Sequence, residues 1–72
     1  MLEDKYHDAQ KAYHAATLTS PEDAYIWVNL ARSYKAMKET KQAKAAFVKA
    51  QHLDPSVKLK YKTMALELLN SL

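Results

Sequence analysis

The feature that most constrains this chain is a set of apolar residues that recurs at an offset of 34 positions. Most of them are three or four residues apart, which places their side chains on one face of an α-helix. A period between about 20 and 50 residues is typical of solenoids and related repeat folds. The recurring residues are Ala9, Tyr13, Ala16 and Pro21, matched by Ala43, Phe47, Ala50 and Pro55, and Trp27, Leu30, Ala31 and Tyr34, matched by Tyr61, Met64, Ala65 and Leu68.

The spacing and the helix start signals predict an all-α fold of four antiparallel helices. Glycine is absent and only Pro21 and Pro55 interrupt the chain, so we expect a very high helical content. Ser20 before Pro21 has the pattern of an N-cap followed by the first helical position, and Asp54 before Pro55 has the same pattern. Thr40 is the expected cap of the third helix. The predicted helices cover about 2–18, 21–37, 41–52 and 55–71.

Length and composition limit the classes of protein that fit. Seventy-two residues make one small domain, near the lower limit for a chain that folds without a disulfide or a metal. The absence of cysteine excludes disulfides and cysteine-based zinc sites, and it agrees with a reducing, cytoplasmic location. No apolar run approaches the roughly 18 residues of a membrane span, and no signal peptide is recognisable. A net charge of +3 favours solubility more than it indicates a particular partner.

The segment 24–57 resembles the tetratricopeptide repeat, whose pattern is W-x2-L-G-x2-Y…A-x3-F…P. It agrees at the signature positions, with Ala31 where the family usually has the small residue Gly. The resemblance divides the single domain 1–72 into a half-repeat 1–23, a full repeat 24–57 and a second half-repeat 58–72. It implies a short stack of paired helices, which is a fragment of an α-solenoid.

Two departures from the family pattern have expected structural effects. Lys38 and Asp4 occupy positions where the family often has Gly in the turn between paired helices, so that turn should be slightly strained. In the last half-repeat, Tyr61 replaces Trp and Leu68 replaces Tyr, which weakens the agreement there.

The resemblance also implies a function, because members of the family are mostly scaffolds that hold a segment of a partner protein. They bind it in a concave groove lined by the first helix of each pair. Carried over by position, the second helix would supply Tyr25, Val28, Asn29, Arg32, Lys35 and Ala36, and the last helix would supply Leu59, Lys62, Thr63, Leu66 and Leu69.

Three of these positions carry more specific expectations. Asn29 stands where many such repeats place an Asn that hydrogen-bonds the backbone of a bound peptide. Tyr25 and Arg32 lie seven residues apart on one helix face, and an aromatic side chain beside an arginine is typical of binding hot spots, although a solvated surface pair fits equally well. The family members that grip a carboxylate at a peptide's C-terminus have cations where this chain has Leu59 and Thr63, so the resemblance does not imply that clamp.

The residues do not favour catalysis, a metal or a cofactor. No set of nucleophile, base and orienting group can be assembled, and without glycine no phosphate-binding loop exists. His7 and His14 lie seven residues apart with no third ligand at metal-binding spacing. One group of acidic residues clusters at helix starts, where the helix dipole already explains it: Glu3, Asp4, Asp8, Glu22 and Asp23. We expect a non-enzymatic chain with no metal site.

Basic residues suggest two further partners that the pattern does not favour. A run of cations along two predicted helices could attract an acidic peptide or nucleic acid, but no aromatic residues alternate with them as stacking platforms would require. Three lysines beside the leucine-rich end could place the last helix at a membrane surface, although burial against protein explains the leucines more simply. The run is Arg32, Lys35, Lys38, Lys41, Lys44 and Lys49, and the three lysines are Lys58, Lys60 and Lys62.

The last predicted helix has too many apolar residues for a single buried stripe. Terminal repeats of solenoids normally present a polar outer face, whereas this one would expose Leu66, Leu69 and Leu72. Either the chain is a piece of a longer or engineered array, or this helix pairs with another copy. The alternative function is therefore a structural unit that forms homo-oligomers through these leucines.

Overall fold

The structure, a computed structural model, describes residues 2–69, with side chains from residue 5 onward. It contains helices and no strand in that part of the chain, as the sequence predicts. Leu72 and the end of the predicted last helix lie outside the described residues. The helices are α1 (Leu2–Thr19), α2 (Ala24–Ala36), α3 (Thr40–Leu53), α4 (Val57–Lys60) and α5 (Lys62–Leu69).

Helix α2 begins later than the sequence indicates. The predicted N-cap was Ser20, but its N–H bonds to the carbonyl oxygen of Ala16 and so continues the last turn of α1. Asp23 is the N-cap, and its carboxylate accepts a hydrogen bond from the backbone N–H of Tyr25 at 3.0 Å. Pro21 therefore lies in the turn between α1 and α2. At the N-terminus of α2, the carboxylate of Asp23 takes the capping role expected of the Ser20 hydroxyl.

The turn between α2 and α3 has a left-handed residue that is not glycine. Lys38 has φ 63°, which agrees with the strain expected at this position. The N–H of Lys38 bonds to the carbonyl of Lys35, and the N–H of Glu39 bonds to that of Tyr34, which is the Schellman pattern that ends a helix. Asp4 does not occupy a comparable turn, because its backbone lies within α1.

The predicted last helix is two helices. The N-cap of the first of them is Ser56, not the predicted Asp54, which lies at the end of α3. The carboxylate of Asp54 holds the turn between α3 and α4 by accepting hydrogen bonds from the hydroxyl of Ser56 at 2.7 Å and from the N–H of Ser56 at 3.0 Å. The first helix, α4, has one turn and ends at Tyr61, whose φ of −118° and ψ of 52° are not helical. Helix α5 follows directly. The continuous helix predicted over 55–71 is therefore wrong at Tyr61.

The core lies mainly between α2 and α3, which pack against each other more extensively than any other pair. Helix α1 packs on α2, and α5 packs on α3. The aromatic rings of Tyr13, Trp27, Tyr34 and Tyr61 are partly buried against this core, as the repeat spacing predicts. The buried apolar residues are Val28, Leu30, Ala31, Ala43, Ala46, Phe47, Ala50, Val57, Met64, Ala65 and Leu68. No helix within residues 2–69 combines the length and hydropathy needed to span a membrane.

Candidate functional site

A groove of about 850 Å³ lies along α2, between α1 and the α4–α5 segment. The buried hydroxyl of Ser33 contributes to its lining and donates a hydrogen bond to the carbonyl of Asn29 at 3.2 Å. The lining residues from α1 and α2 are Tyr6, Ala9, Tyr13, Asn29, Arg32, Ser33, Lys35 and Ala36. Those from the last segment are Lys60, Tyr61, Lys62, Thr63, Met64 and Glu67.

Part of the predicted site is brought together here. Asn29, Arg32 and Lys35 contribute from α2, and Lys62 and Thr63 contribute from α5. The amide of Asn29 is half-buried, whereas Arg32, Lys62 and Thr63 are exposed. The two helices therefore present polar and cationic groups to one concave surface.

Other predicted site residues lie elsewhere. Val28 was expected in the groove, but its side chain is 0 % exposed and belongs to the core. Tyr25 is 59 % exposed and is not part of the groove lining. Leu59 and Leu66 line a separate cavity of about 280 Å³ on another face of α5. The remaining residues that line this second cavity are Lys58, Lys62, Ala65 and Leu69.

The groove also contains residues that the sequence did not indicate as a site. Tyr6, Ala9 and Tyr13 form its α1 side, whereas the repeat spacing marks Ala9 and Tyr13 only as packing positions. Lys60 on α4 and Glu67 on α5 also line the groove, because these two helices form its side opposite α1. The charge of Glu67 was the available signal, since Glu67 lies near the carboxyl end of the predicted helix 55–71, where the helix dipole disfavours an acid.

One ion pair crosses the groove. The ammonium of Lys35 on α2 lies 2.9 Å from a carboxylate oxygen of Glu67 on α5. The two side chains are 37 % and 48 % exposed, so water screens the pair. Beside it, Tyr34 is fixed to α1 because its hydroxyl accepts a hydrogen bond from the amide of Gln10 at 3.2 Å.

The basic run of the sequence does not form one surface. Arg32 and Lys35 line the groove, whereas the ammonium of Lys49 on α3 lies 6.0 Å from the ring centroid of Trp27. Among the described residues, no three His, Asp or Glu side chains are placed to hold a metal ion. The groove thus offers cations, one amide, tyrosine rings and one carboxylate.

The hairpin of α2 and α3, with a helix on either side and an open groove along α2, is the arrangement expected of a helical-repeat protein. The chain belongs to the tetratricopeptide repeat family, because the sequence profile of that family matches residues 1–64. Proteins of this family generally act as scaffolds for protein–protein interaction. No curated protein and no solved structure matches the chain significantly.

Proposed function

We propose that this chain is a non-catalytic scaffold that binds a peptide or a helix of a partner protein in the groove along α2. The observation that carries the proposal is the convergence of Asn29, Arg32 and Lys62 on one concave surface lined from three sides. Concave sites that bury a ligand usually combine apolar contact with a few oriented polar groups.

The polar groups of the groove suit an extended or helical polypeptide. The amide of Asn29 can both donate and accept a hydrogen bond, which matches the alternating N–H and C=O groups of a peptide backbone. Arg32 adds a planar cation with several donors. The rings of Tyr6 and Tyr13 supply apolar area next to these groups, and such aromatic surface is common at binding interfaces.

The test is selection of 12-residue peptides from a display library on the wild-type chain, followed by binding to two double variants. Asn29→Ala with Arg32→Ala should weaken binding at least tenfold, because it removes an amide and a cation from the groove. Lys41→Ala with Gln42→Ala likewise removes one cation and one amide, from an exposed part of α3, and should leave affinity unchanged. Equal affinities of the two double variants would contradict the proposal.

A second function is supported by the exposed leucines of the last segment. Leu59 is 79 % exposed and Leu66 is 55 % exposed, and both line the same small cavity. Burying such a patch against the same patch of a second copy removes apolar surface twice in one contact. We therefore propose homodimer formation through this face as the alternative to binding a different partner.

Sedimentation over a range of protein concentrations tests the alternative. A dimer that dissociates on dilution, and that Leu66→Glu converts to a monomer, would support it. Leu18→Glu is the matched control, because Leu18 is 76 % exposed on α1 and does not line that cavity. A wild-type chain that stays monomeric at millimolar concentration would exclude the alternative.

A further inference from the structure

The break at Tyr61 places consecutive residues on one wall of the groove. In a continuous α-helix each residue is turned by about 100°, so residues two positions apart point in nearly opposite directions. Lys60 and Lys62 would then lie on different faces. Because Tyr61 leaves the helical conformation, both lysines contribute to the groove lining.

This arrangement gives the groove an excess of positive charge. Its described lining includes the cations Arg32, Lys35, Lys60 and Lys62, against the single carboxylate of Glu67. Within the described residues, only Lys35 of these four forms a salt bridge. Lys60 also stabilises the carboxylate of Asp54, which lies outside the groove lining.

We propose that the groove selects an acidic segment of a partner protein, and that Glu67 is an internal competitor for that segment. The inference rests on the proposed function of the groove. The carboxylate of Glu67 lies 2.9 Å from the ammonium of Lys35, where a carboxylate of the partner would be bound in its absence. Glu67 is thus a specificity-determining residue that limits the affinity of the groove for acids.

A peptide fits these observations better than a nucleic acid. Glu67 is an acid within the lining, and it would repel the closely spaced phosphates of a polynucleotide. A peptide can place its acids opposite Arg32 and Lys62 and leave an uncharged residue near Glu67. The amide of Asn29 can pair with both the N–H and the C=O of such a peptide.

The test measures fluorescence anisotropy of a labelled 12-residue peptide in which Glu and Asp alternate with Leu. Glu67→Gln should raise affinity about two- to fivefold, because Lys35 becomes available to the peptide. Glu39→Gln makes the same change in net charge at an exposed residue outside the groove lining, and it should leave affinity unchanged. Arg32→Gln with Lys60→Gln should weaken binding about tenfold and reduce its dependence on salt.

A double-variant cycle separates this competition from a merely structural role of the ion pair. Lys35→Gln should change peptide affinity little in the wild-type chain, because there Lys35 is already paired with Glu67. In the Glu67→Gln background it should abolish the gain in affinity. Circular dichroism of each variant verifies that the helices remain folded. We expect this because the side chains of Lys35 and Glu67 are 37 % and 48 % exposed, and such pairs contribute little to stability.

Several outcomes would overturn the inference while the proposed function survives. The first is that the Glu67→Gln and Glu39→Gln variants bind the acidic peptide with equal affinity. The second is that the chain shows no preference for the acidic peptide over its Gln and Asn analogue. The third is that a 12-nucleotide oligothymidine binds at the same site as tightly as the acidic peptide. The library-selected peptides report separately on the groove. If those peptides bind the Asn29 and Arg32 double variant with the same affinity as the wild-type chain, the proposed function itself fails.

Discussion

The indole of Trp27 donates a hydrogen bond from its Nε1 to the carbonyl oxygen of Pro21 at 2.9 Å. The bond joins the turn between α1 and α2 to helix α2. The ring is only partly buried, and the ammonium of Lys49 lies 6.0 Å from its centroid. Trp27 therefore stabilises the connection between α1 and α2 as well as the core.

Trp27→Phe should destabilise the fold by about 0.5–1.5 kcal/mol, because it keeps an aromatic ring but removes the donor to Pro21. Urea unfolding measures the effect. It is followed by circular dichroism, because the variant lacks the only tryptophan and so has no tryptophan fluorescence to report unfolding. Tyr25→Phe also removes one polar atom from an aromatic residue, which is 59 % exposed, and should change stability by less than about 0.5 kcal/mol. Equal stabilities of both variants would show that the indole bond contributes nothing.

Phe47→Ala should cost about 3–5 kcal/mol, because Phe47 is fully buried between helices and its loss leaves a cavity. A domain of this size has little stability to lose, so the variant is expected to be largely unfolded. Phe47→Leu keeps most of the volume and should fold with a lower melting temperature. Leu18→Ala, at a side chain 76 % exposed on α1, is the control and should melt close to wild type. A melting temperature of Phe47→Ala near wild type would contradict the assigned core.

The repeat spacing predicted most of the core, because helical periodicity and small residues decide which faces pack, but it did not indicate Val28, Ala46 or Val57 as core residues. Ala31, Ala43 and Phe47 are buried as expected. Helix ends were harder to place. Ser20 and Asp23 are both good N-caps, and nothing local decides between them; in the structure, Ser20 completes α1 and Asp23 caps α2.

The groove was only partly predictable, for two physical reasons. The residues around Tyr61 are ordinary helix-compatible residues without Gly or Pro, so no local signal indicated the break that brings Lys60 to the groove. The family resemblance assigns the groove to the first helix of each pair. Tyr6 and Tyr13 on α1 were therefore not expected there, although they form one of its sides.

Lys38→Gly should stabilise the fold by about 0.5–1 kcal/mol. Lys38 has φ 63°, where a side chain is strained and glycine is not. Part of the gain is offset by the greater freedom of glycine in the unfolded chain. Lys11→Gly is the control, since the same change at an exposed position within α1 should cost about 1 kcal/mol. Chemical unfolding of both variants should therefore give effects of opposite sign, and a loss of stability in both would contradict the role of Lys38.

The stability of the turn before α4 should depend on pH through Asp54. Hydrogen bonds from the hydroxyl and the N–H of Ser56, together with the charge of Lys60, lower the pKa of Asp54 below its ordinary value of 3.8. Because the pKa is lower in the folded chain than in the unfolded one, this stabilisation is fully present above the unfolded value. It is lost as the pH falls through the folded value.

Asp54→Asn should therefore be less stable than wild type at pH 7, and the difference in unfolding free energy should shrink between about pH 4 and pH 2. Urea unfolding at a series of pH values measures it, with Asp8→Asn as a control that removes an exposed carboxylate from α1. Ser56→Ala removes the hydroxyl donor and should raise the pKa of Asp54, which carbon NMR of its carboxyl group can follow. A wild-type advantage over Asp54→Asn that stays constant down to pH 2 would mean that the carboxylate charge does not hold this turn.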